Sequence, residues 1–173
     1  MRLTNYFIKK KIQYAASQAL ARKHEFCALE DARDILVLFQ AMDAPVVEPC
    51  LEQLRKMGKR VYACMYVSGG ITQEIDSSYT VVSEKEHTDA WYAPKNAIVE
   101  QCKTLEADIL IDLCRADCYP MQYIMLQHPC SFKTGRKFNG PDLYDLSIVV
   151  TEGDDIKYLF EQILFYLKAI RSK

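Results

Sequence analysis

Asp112, Cys114, Arg115 and Cys118 follow one another at the end of the apolar run "DILIDL". A carboxylate, a guanidinium and two thiols so close together could hold a metal, exchange disulfides, or orient a hydroxylated or anionic ligand. With His128 and Cys130 the thiols complete a zinc-like ligand set. Helix geometry argues against that use. "CYPMQYIMLQH" reads as a short helix, and a rise of about 1.5 Å per residue separates the two pairs by roughly 13 Å, whereas every ligand must lie within about 2.3 Å of the ion. No metal site is therefore expected. The spacing Cys-x-x-x-Cys also differs from the Cys-x-x-Cys of thiol–disulfide motifs, so packed thiols are expected. Asp112 reads first as a cap for the loop after the strand, through that loop's backbone amides. Its functional alternative is to orient a ligand hydroxyl or pair with Arg115.

Two further clusters carry possible chemistry. "FKTGRKFNGPD" places Lys133, Arg136 and Lys137 around Gly135, a turn able to hold an anion by charge and exposed amides. "HTDAWYAPKN" places Trp91 and Tyr92 among His87, Asp89 and Lys95, where the rings either stack on a sugar, base or partner or fold back as a lid over the core. Neither Gly-rich phosphate fingerprint occurs, and no HExxH motif, paired carboxylates or Ser-His-Asp order stands out. The sequence thus implies no cofactor and gives a hydrolase no positive support.

Elements that must position these groups follow from hydrophobic spacing. "TNYFIKKKIQYAASQALARKH" carries apolar residues from Tyr6 to Leu20 at helical intervals, with Thr4 or Asn5 available as a cap. "RDILVLFQ", "RVYACMYV" and "DILIDL" are continuous apolar runs of strand length, the pattern of strands covered on both faces. "YTVVS", "SFKTGR" and "YDLSIVV" predict further strands. Helices are predicted over "VVEPCLEQLRKMGKR", ending near Gly58, over "APKNAIVEQCKTLEA", and over "DDIKYLFEQILFYLKAI". Strands alternating with helices predict a single Rossmann-like α/β domain of three layers, with a mostly parallel sheet of about five strands. We divide the chain into a basic amphipathic helix over 1–24, packed on the domain, and the α/β domain over 25–173. Ligands in such folds sit outside the carboxyl ends of the strands, near the point where strand order reverses. That rule selects Gln40 to Pro45, Ser68 to Gly70, Asp112 to Cys118 and Gly135 to Asn139.

Composition sets outer bounds. At 173 residues, half of them hydrophobic and 26% charged, the chain suits one folded core and neither disorder nor a low-complexity architecture. No apolar run reaches the roughly 20 residues of a membrane span. The interrupted N-terminus does not read as a signal peptide. Seven scattered cysteines suit a reducing compartment, so a cytoplasmic location is expected. Six of the 22 basic residues, Arg2 and Lys9 among them, and none of the 23 acidic ones fall within 1–24. Either this helix complements an acidic body or it meets a membrane surface or nucleic acid, and we expect the former.

The whole chain, with its basic first helix, "DAWYAPK" and "ADILIDL", resembles a family of small bacterial proteins of unknown function. Over about Asp34 to Ile148 it is also similar to the N-terminal, acceptor half of heptosyltransferase-like two-domain glycosyltransferases. Asp43, Pro49 and "CLEQLRK" match the spacing of the Gly-Asp, Pro and helix pattern after that class's first strand. "DILIDL" and "SFKTG" look like two of its later strands. The resemblance implies Asp43 as a general base for an acceptor hydroxyl, although Met42 stands where that class has Gly. It also implies that the nucleotide-sugar domain would come from a partner.

These readings converge on a protein of unknown function that binds a protein partner or a small anionic or sugar ligand at its strand ends, without catalysis. The expected surface is Asp43, Trp91, Tyr92, Asp112, Arg115, Arg136 and Lys137. The alternatives are a glycosyltransferase-like or sugar-phosphate enzyme using Asp43, and a membrane- or nucleic-acid-associated protein using residues 1–24.

Overall fold

A computed structural model describes residues 3–19, 22–69, 74–150 and 155–171. Arg2, Leu20 and Gly70, named above, lie outside these. Six strands form one sheet: β1 (Asp34–Gln40), β2 (Arg60–Val67), β3 (Thr80–Ser83), β4 (Ile109–Asp112), β5 (Lys133–Arg136) and β6 (Leu146–Ile148). Every pairing is parallel, and the strand order is β3-β2-β1-β4-β5-β6. This is the Rossmann-like α/β architecture, with one strand more than the sequence suggested. Strand order reverses between β1 and β4, which places the crevice of the fold beside Gln40 and Asp112.

The helices are α1 (Leu3–Ala19), α2 (Ala44–Lys56), α3 (Glu84–His87), α4 (Asn96–Lys103), α5 (Tyr119–Gln127) and α6 (Ile156–Ala169). Period-two alternation along the strands divides the core into two faces. Ile35, Val37 and Phe39 of β1, with Ala63 and Met65 of β2, pack under Val47, Leu51 and Leu54 of α2 and Leu159, Ile163 and Leu167 of α6. Leu36, Leu38, Cys64 and Leu110 point the other way, onto α1, α4 and α5. Both faces being covered explains why these strands read as unbroken apolar runs.

The first helix belongs to the second face. Ile8, Ile12 and Ala15 are buried against the α5 side of the core. Its charges turn outward to acids and rings: Lys11 pairs with Asp89, and the Lys9 ammonium lies 5.1 Å from the centre of the Tyr119 ring. Beyond the helix, Arg22 donates to Asp145 and to the Ser131 carbonyl, and His24 reaches the other Asp145 oxygen. These contacts tie the basic segment to the β5–β6 connection. Among the described residues no helix is long and apolar enough to cross a membrane.

β5 corrects one sequence impression. "KTGR" looks polar, yet all four residues are buried. Lys133 donates to the carbonyls of Met125 (2.6 Å) and Leu126 (3.4 Å) at the carboxyl end of α5, where orphan carbonyls need donors. Burial lowers the pKa of this amine to about 7. Thr134 donates to the Leu110 carbonyl. The polarity of Lys133 and Thr134 is consumed internally.

Candidate functional site

At the switch point the carboxyl ends of β1 and β2 open into a cleft of about 590 Å³. Gln40 closes β1, Tyr66 lies near the end of β2 with Ser68 just beyond the strand, and Glu84 opens α3. Tyr92 comes from the turn before α4, Asp117, Cys118, Tyr119 and Pro120 from the start of α5, and Asn5 from α1. Six segments of the chain thus contribute to one wall. A volume of this size, lined by a few convergent polar groups and rings, is in the range of small-ligand sites.

Local geometry fixes several of these side chains. The Tyr66 hydroxyl donates to Glu84 at 2.9 Å. Burial, and then the Glu84 carboxylate, push the pKa of that phenol up, so it stays protonated. Gln40 accepts from the Arg115 amide at 2.9 Å, which pins the side chain at the strand end. Tyr92 sits at φ 59, in the left-handed region that a non-glycine residue occupies at a cost of about 1–2 kcal/mol. The Asp89 carboxylate accepts from the amides of Trp91 and Ala93 and holds the turn in that shape. The strained backbone brings the Tyr92 ring to the cleft.

Trp91 points elsewhere. Its ring lies 4.5 Å from that of Phe7 on α1, still partly exposed, so the aromatic turn latches onto the first helix and contributes Tyr92 alone to the cleft.

Asp43 lies in the short 3-10 turn after β1 and is buried. Arg115 grips both its oxygens, Nε to Oδ2 at 3.1 Å and Nη2 to Oδ1 at 2.6 Å. Such a bidentate pair joins the loops that follow β1 and β4 across the switch point. A carboxylate held this way is an anchor; as a base it would first have to leave the guanidinium.

Asp112 does what its loop needs. Its Oδ1 accepts from the Cys114 amide (2.9 Å) and its Oδ2 from the Tyr144 hydroxyl (2.8 Å). Burial raises its pKa against these bonds and the nearby positive charge of Arg136. Tyr144 lies so close over β5 that a Cβ at Gly135 would stand 2.6 Å from its ring. The glycine of "KTGR" makes room for a ring. Of the basic turn, Lys133 caps α5, Arg136 is buried beside Asp112, and Lys137 pairs with Asp142. None of the three lines the cleft.

Cys64, Cys102 and Cys114 are packing groups by their surroundings. Cys64 and Cys102 lie 3.7 Å apart in the α1 face of the core, and burial pushes the Cys114 thiol up, away from thiolate character. His128 receives the Cys130 amide at Nδ1 (3.1 Å), which leaves Nε2 to donate to the Leu105 carbonyl (2.9 Å). Burial lowers its pKa to about 4. Among the described residues no three His, Cys, Asp or Glu side chains converge as a metal site would require.

Of the residues expected to form the binding surface, then, Tyr92 alone lines the cleft, and Asp43 and Arg115 brace its edge. Tyr66, Glu84 and Tyr119 were missed. Gln40, Ser68, Asp117 and Cys118 fell in the segments chosen by the strand-end rule, which was the usable signal. Glu84 and Tyr66 carried none, since a Tyr in an apolar strand and a Glu in "SEKEH" look like core and surface.

An all-parallel sheet in this order, with helices on both faces, defines a Rossmann-like α/β domain. The chain belongs to a family of unknown function, DUF6913, whose model matches residues 4–170. No curated protein and no solved structure matches it.

Proposed function

We propose that the chain is a non-catalytic, cytoplasmic module that binds a small ligand in the switch-point cleft. The observation that carries this reading is the cleft itself: about 590 Å³, at the one place where the topology opens a crevice, lined by Gln40, Tyr66, Glu84, Tyr92 and Asp117 from separate segments. Strain at Tyr92 supports it, because backbone held in a costly region persists where the surroundings over-determine it, and such places cluster at binding sites. The absence of catalysis rests on Asp43, whose oxygens are both committed to Arg115. Seven cysteines without a disulfide are consistent with a reducing compartment.

Thermal unfolding of the full chain across nucleosides, nucleotides, sugars, sugar phosphates and amines tests the reading. A ligand at 100 times its dissociation constant stabilises by about 2.7 kcal/mol. Stabilisation is expected from at least one class, reduced in Gln40→Ala and in Tyr92→Gly. The glycine relieves the left-handed strain while removing the ring, so this variant folds. Stabilisation by no class, or stabilisation unaffected by both substitutions, would refute the assignment.

A further inference from the structure

The charge and aromatic content of the cleft select among ligand classes. Its described lining carries two carboxylates, Glu84 and Asp117, and no lysine, arginine or histidine. The basic groups that might have met an anion are spent elsewhere: Arg115 on Asp43, Lys137 on Asp142, Lys133 on the end of α5. Three tyrosines from three segments, Tyr66, Tyr92 and Tyr119, complete the wall. Tyrosine rings present a negative face, and rings gathered with carboxylates are the arrangement that recognises ammonium groups.

We infer that the ligand is an organic cation, an amine or quaternary ammonium; this rests on the reading of the cleft as a ligand site. One opposing effect has to be weighed. Cys118, Tyr119 and Pro120 open α5, and a helix N-terminus attracts anions with the equivalent of about half a positive charge. Against that half charge and the Lys9 ammonium beside Tyr119 stand two full negative charges, Glu84 and Asp117, the latter adjoining that same terminus. The net field favours a cation. The Lys9 ammonium already lies 5.1 Å from the centre of the Tyr119 ring, so that ring holds a cation of the chain's own and Tyr66 and Tyr92 are the rings left to a ligand. Tyr66 fits the same role: its hydroxyl is turned to Glu84 and kept protonated by burial and that carboxylate, so its ring stays a neutral π surface while the carboxylate is held in place.

Isothermal titration calorimetry on the full chain with choline, benzyltrimethylammonium and putrescine, and with choline's uncharged tert-butyl isostere, tests this. At least one cation is expected to bind, with the isostere at least about fivefold weaker. Asp117→Asn, an exposed substitution that leaves the fold alone, is expected to weaken the cation and spare the isostere. Tyr92→Phe retains binding and Tyr92→Leu loses it. Equal binding of cation and isostere, or binding of none of the three cations while a sugar or phosphate compound stabilises the protein through Gln40 and Tyr92, overturns the cation assignment and leaves the cleft as a site. Should no compound of either panel bind, both readings fall.

Discussion

Gly135 and Tyr144 account for a short sequence signal that invited a different explanation. A methyl group at residue 135 would press on a buried ring whose hydroxyl is tied to Asp112, so the ring has little room to move. Gly135→Ala is expected to destabilise the protein by about 1–3 kcal/mol, as overpacking does. Tyr144→Phe removes the donor to a buried carboxylate and should cost a similar amount, about 1–3 kcal/mol; urea unfolding measures both. His128 gives a pH signature at the same scale. Its pKa falls from 6.5 to about 4 on folding, because burial disfavours the imidazolium. The unfolded chain then binds the extra proton, so the histidine's share of stability is complete above pH 6.5 and disappears as pH falls toward 4. The loss amounts to roughly 3 kcal/mol at 1.36 kcal/mol per pKa unit. Denaturation at a series of pH values should be less steep for His128→Gln over that window, and an unchanged slope would contradict the burial argument.

At the scale of elements, two junctions hold the cleft open. α1 packs Ile8 and Ile12 into the α5 face and brings Asn5 to the cleft. Ile8→Ala should therefore cost about 2–5 kcal/mol, the range for emptying a filled core position. A helix lying on lipid would show no such penalty; co-sedimentation with anionic vesicles, expected to be negligible at physiological salt, checks the same point. The second junction is Asp43 with Arg115. Asp43→Asn and Arg115→Gln are each expected to lose about 1.5–3 kcal/mol, with the double variant losing less than the sum, because the two share one interaction. Additive losses in a double-mutant cycle would mean that the pair contributes nothing jointly. The long elements were legible beforehand for clear reasons: β1, β2 and β4 are unbroken apolar runs, and α6 opens after an aspartate whose side chain accepts from the Tyr158 amide. β5 was legible as a strand, but its burial was not, because its lysine answers to the end of the helix just before it and its threonine to the Leu110 carbonyl on the neighbouring strand. α3, four residues long, lacks the periodicity that would reveal it.

For the whole molecule, strand alternation was enough to predict the layers and the general position of a site, but not its walls. Tyr66, Glu84 and Tyr119 meet only because β2, β3 and α5 converge at one end of the sheet, and nothing local to any of them encodes that meeting. Residues conspicuous in the sequence, such as Trp91, Arg136 and Cys114, instead serve the latch and the core. A second, more apolar groove of about 390 Å³ runs between α1, α5 and the turn around Phe138, and it provides the natural comparison. Amide chemical-shift mapping by NMR, titrating any compound that stabilises the protein, separates the two. The account predicts shifts concentrated at Gln40, Tyr66, Glu84, Tyr92 and Cys118. Shifts centred on Gln13, Phe138 and Leu143 would place the ligand in the apolar groove and contradict the switch-point cleft as the site.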